Sequence, residues 1–220
     1  FEPFSHYRVS FNTLYVADPL FSVWPAIAAI ILLVNRRKTA SKFWAYFGLG
    51  CSTIYLMTAV FLKWRIDYTA QSETIRLQQH PVRYFTTPTP LNSLLWYVVS
   101  ESDSGYNIGY RSVFDQSEHI AFHYVPKNTS LITPGAYKDD LPYLKRFSNG
   151  YYTLSRRNDT LLFNDIRFGE ILGWSNPENG FVFYYCLQYP DANKLIVQRG
   201  RFAGRNRENF GLFLKRIKGI

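Results

Sequence analysis

The sequence predicts a membrane α-helical hairpin followed by an α+β soluble domain dominated by an antiparallel sheet. Three observations predict it. First, Leu20–Val34 carries no charge, and Phe43–Leu62 carries none over twenty residues. A helix rising about 1.5 Å per residue needs roughly 20 apolar residues to cross a hydrocarbon core of about 30 Å. The second run meets that length, and the first reaches it by borrowing Tyr15–Pro19. Second, the loop between them holds Arg36, Arg37, Lys38 and Lys42 and no acid, so it stays cytoplasmic under the positive-inside rule. Third, from residue 91 onward short β-forming runs alternate with turn residues. A pair of buried core helices is the competing account, but an uncharged run of twenty is uncommon in a soluble domain.

Composition sets the proportions. The chain has 220 residues, a net charge of +9 and 18% aromatic residues. Its mean hydropathy is −0.17, so the membrane part is a minority. The expected division is a membrane region over 1–66, with helices at about 19–34 and 43–62. A linker over 67–90 follows, then a β-rich domain over 91–220, long enough for a core of its own. Cys51 lies in the second apolar run and Cys186 in a strand-like run, so no disulfide framework is expected. No signal peptide is visible, and the chain opens on Phe1 with Met57 its one methionine. It is therefore expected to be part of a longer protein.

Taken in order, Tyr7, Phe11, Tyr15 and Phe21 suit a membrane interface. Asp18-Pro19 opens the first helix. Asp18 reads either as an N-cap, with Pro19 at the first helical position, or as an ionisable group at the mouth of a membrane bundle. Pro25 is expected to kink the helix. Gly48 and Ser52, four apart, predict close packing against other helices, upstream or in another subunit. Asp67–Gln79 reads as a short continuing helix that His80-Pro81 ends, and Thr86–Pro90 as extended linker. Ser93–Ser100 and Tyr106–Phe114 then read as paired strands, His119–Val125 as a third, and Asp139–Arg146 as a short helix with acids first and cations last. Tyr151–Ser155 and Thr160–Phe163 read as a hairpin, Phe181–Gln188 as a buried strand, and Asn206–Ile217 as an amphipathic helix with Phe210, Leu212, Phe213 and Ile217 on its apolar side.

Chemistry-bearing clusters are sparse. His119 and His123 would share one side of a strand but lie about 13 Å apart at roughly 3.3 Å per residue, too far to share an ion held at about 2 Å. Glu101 with Asp103, and Asp139 with Asp140, read as solvated caps. His6 near Asp18 is a lone further ligand. No P-loop, GxGxxG, GxSxG or CxxC is present, so a nucleotide, serine-hydrolase or thiol-redox reading has no support. The C-terminal stretch is basic, with Lys194, Arg199, Arg201, Arg205, Arg207, Lys215, Arg216 and Lys218 against Glu208. A solvated surface is the leading account of that charge, and anionic lipid could also use it. Nucleic acid is not expected, because no nucleic-acid motif accompanies it.

Four stretches carry a family resemblance: FEPFSHYRVSFNTLYVADPLF, YFTTPTPLNSLLWYVVSESDSGYNIGY, FHYVPKN and FSNGYYTLSRRNDTLLFNDIRFGEILGW. In order and spacing they resemble the C-terminal half of the bacterial membrane-bound metal-dependent hydrolase family, also described as LexA-binding, inner-membrane-associated hydrolases. The resemblance implies a multi-pass protein of the bacterial inner membrane with a divalent metal centre, zinc by preference. The His- and Asp-containing motifs of that centre are expected in an N-terminal half that this chain lacks. Asp18, in VADPLF, is the one residue that looks like part of the family's membrane-entrance acidic set, and so the one metal ligand expected here. This part alone is expected to be inactive, because a catalytic zinc takes about three protein ligands plus water. The implied partners are the bilayer and other transmembrane helices. The Arg36–Lys42 loop, held inside, puts the β-rich domain outside the cytoplasm, whereas a LexA-binding role would need some cytoplasmic surface. The non-enzymatic alternative is a membrane-anchored binding or scaffold domain.

Overall fold

The structure, a computed structural model, describes residues 10–34, 41–77, 83–133, 137, 139–187 and 206–220. His6, Tyr7, Arg36–Lys38 and the basic stretch from Lys194 to Arg205 lie outside these. The fold is α+β. Two helices come first, α1 (Pro19–Val34) and α2 (Ser41–Arg76). Four strands follow: β1 (Arg83–Pro88), β2 (Leu95–Glu101), β3 (Gly105–Ser112) and β4 (Phe122–Pro126). Helix α3 (Asp140–Phe147) leads to β5 (Tyr152–Arg157), β6 (Thr160–Glu170) and β7 (Phe181–Cys186), and α4 (Arg207–Ile217) closes the chain.

Helix α1 packs antiparallel on α2 through small residues. A Cβ placed on Gly48 would stand 2.7 Å from Ala28 Cβ and 3.3 Å from Pro25 Cα, so only glycine allows this approach. Four residues on, Ser52 Oγ donates to the Phe21 carbonyl at 3.1 Å. The Gly48/Ser52 face is therefore taken by α1 of the same chain, not by the outside helix that the spacing suggested. The remaining faces are apolar and open: Ile30, Leu33, Phe43, Tyr46, Leu49, Ile54, Met57, Val60 and Phe61 are all exposed. Helix α2 is long and apolar enough to cross a membrane.

Helix α2 runs unbroken for 36 residues, so the continuing helix expected from Asp67 joins the apolar run as one element. It contains no proline, and Lys63–Asp67 supports the polar turn as an i,i+4 ion pair at 3.3 Å. The same pair recruits β1, since Lys63 Nζ donates to Thr86 Oγ1 at 2.8 Å and Thr86 Oγ1 donates to Asp67. Residues 83–88 are thus an edge strand, where Pro88 is tolerated because one side of an edge needs no donor.

The strands form two antiparallel sheets where the sequence suggested one: β1-β2-β3-β4 and β5-β6-β7. They abut where β4 ends, as Leu154 N donates to the Lys127 carbonyl at 3.1 Å and Thr153 Oγ1 to that of Pro126 at 2.6 Å. Strand β2 is buried along its whole length, which its continuous apolar run foretells. Alternation divides its side chains. Trp96 and Val98 pack on Ile66 and Ala70 of α2. Tyr97 and Val99 join Tyr106, Ile108, Ile166 and Phe181 between the sheets. A third cluster under α3 gathers Tyr152, Leu154, Leu161 and Phe163. At roughly 1.5–3 kcal/mol per fully buried large side chain, the α2–sheet and inter-sheet contacts dominate the stability of this unit.

Candidate functional site

Asp18 is 3% exposed and joins three separate parts of the chain. Its Oδ1 accepts from Leu20 N at 3.0 Å, which is the N-cap expected from Asp-Pro at a helix start. Its Oδ2 accepts from Tyr55 Oη of α2 at 2.7 Å and from Ser93 Oγ at 3.1 Å. Tyr55 Oη and Ser93 Oγ are 3.1 Å apart. Local sequence sets Ser93 in place. Asn92 Oδ1 accepts from the amides of Leu94 and Leu95 at 2.8 Å each, a side-chain-closed turn that Asn favours. Trp96 Nε1 then binds the Ser93 carbonyl at 3.0 Å. The carboxylate therefore sits where the apolar helix pair meets the first sheet, held by neutral donors. Among the described residues no cation pairs with it.

Asp18 offers a metal a single carboxylate here. Tyr55 and Ser93 are neutral hydroxyls, both turned to that carboxylate. Among the described residues no three His, Cys, Asp or Glu side chains come together to hold an ion. The described residues by themselves therefore supply no catalytic step through a metal.

The two histidines go to different glutamates. His119 lies before β4, not in it, and its Nδ1 is 3.2 Å from Glu73 Oε2 on α2. His123, on β4, places Nε2 2.7 Å from Glu170 Oε1. Sequence spacing kept the pair off a shared ion, and the structure adds that each has its own carboxylate. The Glu170 cluster was not visible in sequence, because its members come from four strands. Register puts Tyr97 opposite Tyr110, and Ile108 opposite His123, so these side chains share the inner face of the first sheet. Glu170, at the end of β6, reaches across to them, and Tyr110 Oη donates to its Oε2 at 3.2 Å. Gly173 makes room: a Cβ there would lie 2.6 Å from Glu170 Cβ. Burial and the nearby Glu170 carboxylate hold the Tyr110 phenol far above its usual range. Burial does the same to Tyr97, reinforced by Tyr110, Glu170 and Asp165. Tyr97 Oη and Trp174 Nε1 are buried with no hydrogen-bond partner among the described residues.

Other acids are structural. Glu101, expected as a solvated cap, is 5% exposed, and it pairs with Lys127 at 2.7 Å and with Arg83. The strand turn buries it because Arg83 lies opposite in the β1–β2 register. Asp165 is fully buried on Arg167 at 2.6 Å. Cys51 and Cys186 are not joined to each other by a disulfide.

No family model matches the chain, and neither the curated proteins nor the solved structures give a match.

Proposed function

We propose that this chain is the C-terminal part of a membrane-bound metal-dependent hydrolase. In this reading α1 and α2 cross the bacterial inner membrane as a hairpin, and the two-sheet unit stands outside the cytoplasm over their exit. Asp18 is the acidic group the chain contributes to a metal site whose other ligands, His and Asp, belong to the part preceding Phe1. The observation that carries the reading is Asp18 itself: a buried carboxylate at the mouth of two outwardly apolar helices, held by neutral donors. Buried charges are ordinarily paired or bound to metal, and ionisable groups at a membrane mouth mark function. The exposed apolar faces of α1 and α2 support the bilayer as their surroundings.

The test is metal content of the full-length protein by elemental analysis, comparing wild type with Asp18→Asn. Asparagine keeps the N-cap and much of the hydrogen bonding but removes the anionic ligand. Near-stoichiometric zinc lost in the variant supports the reading. Zinc retained in the variant returns Asp18 to helix capping. No metal in either sample favours the second reading, a membrane-anchored binding or scaffold domain. One observation favours that second reading: both carboxylate oxygens of Asp18 already have donors within the chain, as a purely structural clamp requires.

A further inference from the structure

We propose that α4 is an interfacial helix that lays its Phe210/Leu214 face on the anionic headgroups of the bilayer entered by α2. The inference rests on the membrane reading above and adds a second, peripheral contact to it.

One side of α4 is docked. The Phe213 ring lies 4.7 Å from that of Trp174. Arg216 pairs with Asp115 at 2.6 Å and donates to the Tyr110 carbonyl at 2.7 Å, and Ser112 Oγ donates to the Ile217 carbonyl. The other side is not. Phe210 is 59% and Leu214 43% exposed, and a four-residue spacing puts them on one face. Arg207 and Lys218 continue that face at helical spacing, Lys215 lies beside it, and all three are exposed. Among the described residues no carboxylate pairs with any of the three. An apolar stripe flanked by unpaired cations is the pattern of a helix lying in a membrane interface.

Placement identifies the surface. Ser93, hydrogen-bonded to Asp18 and Tyr55 at the helix mouth, precedes Leu95 by two residues. Leu95 pairs with Ser112 in the β2–β3 register, and Ser112 holds the end of α4. Val113 packs in the same cluster as Leu62 and Ile66, and Leu62 is the last residue of the uncharged run. Thus α4 is moored on the loop that sits where the apolar part of α2 ends. Phe114 and Ile220, both exposed, extend the apolar rim there. Three cations beside this rim complement anionic headgroups, which attract such residues within a Debye length.

The test uses the full chain with Cys51→Ser and Cys186→Ser, reconstituted in phosphatidylcholine vesicles with or without phosphatidylglycerol. An environment-sensitive fluorophore is attached at Phe210→Cys or, separately, at Leu49→Cys, beside Gly48 and level with the middle of α1. The Phe210 label is expected to be quenched by shallow nitroxide lipids when phosphatidylglycerol is present. That quenching should weaken by roughly fivefold in apparent affinity for each of Arg207, Lys215 and Lys218 changed to Glu. The Leu49 label should be quenched by deep nitroxides in every case, which also shows that the variants insert. A Leu49 label in lipid with a Phe210 label open to aqueous iodide overturns the interfacial helix and leaves the membrane reading standing. Neither label in lipid overturns both. A Phe210 label shielded in detergent as protein concentration rises shows a second copy on this face and also overturns the proposal.

Discussion

Tyr55 Oη donates to Asp18 Oδ2 at 2.7 Å across 37 positions of sequence, and the same carboxylate oxygen binds Ser93 from the first sheet. One side chain thus fixes the start of α1, the middle of α2 and the turn that feeds β2.

Losing that carboxylate should cost stability in two ways. Asp18→Ala removes an N-cap, worth about 1 kcal/mol, and takes the shared acceptor from Tyr55 and Ser93, which keep only their bond to each other, at about 1 kcal/mol more. Asp18→Asn should cost less than about 1 kcal/mol. Thermal unfolding of both variants in detergent checks this; equal losses would mean that charge, not hydrogen bonding, holds the junction.

Gly48→Val should wedge α1 from α2, at about 1–3 kcal/mol, because its first new carbon would collide with Ala28. Ala28→Gly in the same molecule should recover part of the loss, since the clash is with that methyl. A double-mutant cycle by chemical denaturation measures the coupling. Simple additivity would show that the helices separate for another reason.

Removing the Tyr97 hydroxyl should be harmless or beneficial. It is buried without a partner among the described residues, so Tyr97→Phe discards an unsatisfied group and should raise stability by up to about 1–3 kcal/mol. Tyr110→Phe, by contrast, breaks a bond to Glu170 and should lower it by about 1 kcal/mol. If Tyr97→Phe destabilises, a water or small ligand bridges that hydroxyl to its neighbours.

Acid should free α4. Burial pushes Asp115 up, but the hydrogen bond from Arg216, the Ser112 amide and the nearby Arg111 outweigh it and bring the carboxyl below its ordinary value. A folded-state value below the unfolded one adds stability that is fully present above the unfolded value of about 3.9. That stability is lost as pH falls through the folded value. Amide exchange over Phe210–Ile217 should therefore quicken below about pH 4, and Asp115→Asn should show the fast exchange already at neutral pH. Exchange that is independent of pH in wild type, after correction for intrinsic rates, would remove Asp115–Arg216 as the mooring.

What sequence shows and what it hides divides on range. The helix start at Asp18-Pro19, the apolar run of β2 and the acid-first α3 are local patterns, and each lies where local rules put it. The continuation of α2 to Arg76 is also local, in the missing proline and the Lys63–Asp67 pair. Strand β1 was hidden because Thr86-Thr87-Pro88 has linker composition, and it becomes a strand by pairing with β2, with Thr86 held by Lys63 and Asp67 on α2. The candidate site was half legible. Asp18 shows itself as the one acid at the edge of an apolar run. Its partners Tyr55 and Ser93 carry no local mark, and the Glu170 cluster depends on a three-strand register no short window contains.

The unbroken α2 also has a mechanical meaning. At about 1.5 Å per residue its 36 residues make a rod of roughly 54 Å, of which a bilayer core would take about 30 Å. The remainder is gripped along one side by Trp96 and Val98 and bolted by Lys63 and Asp67 to the edge strand. Rod and sheet therefore turn together. If a thinner bilayer tilts the helix, the sheets swing with it, and a 10° tilt would move a point 20 Å up the rod by about 3.5 Å. With α2 in a bilayer, lipid thickness would set the attitude of the sheets.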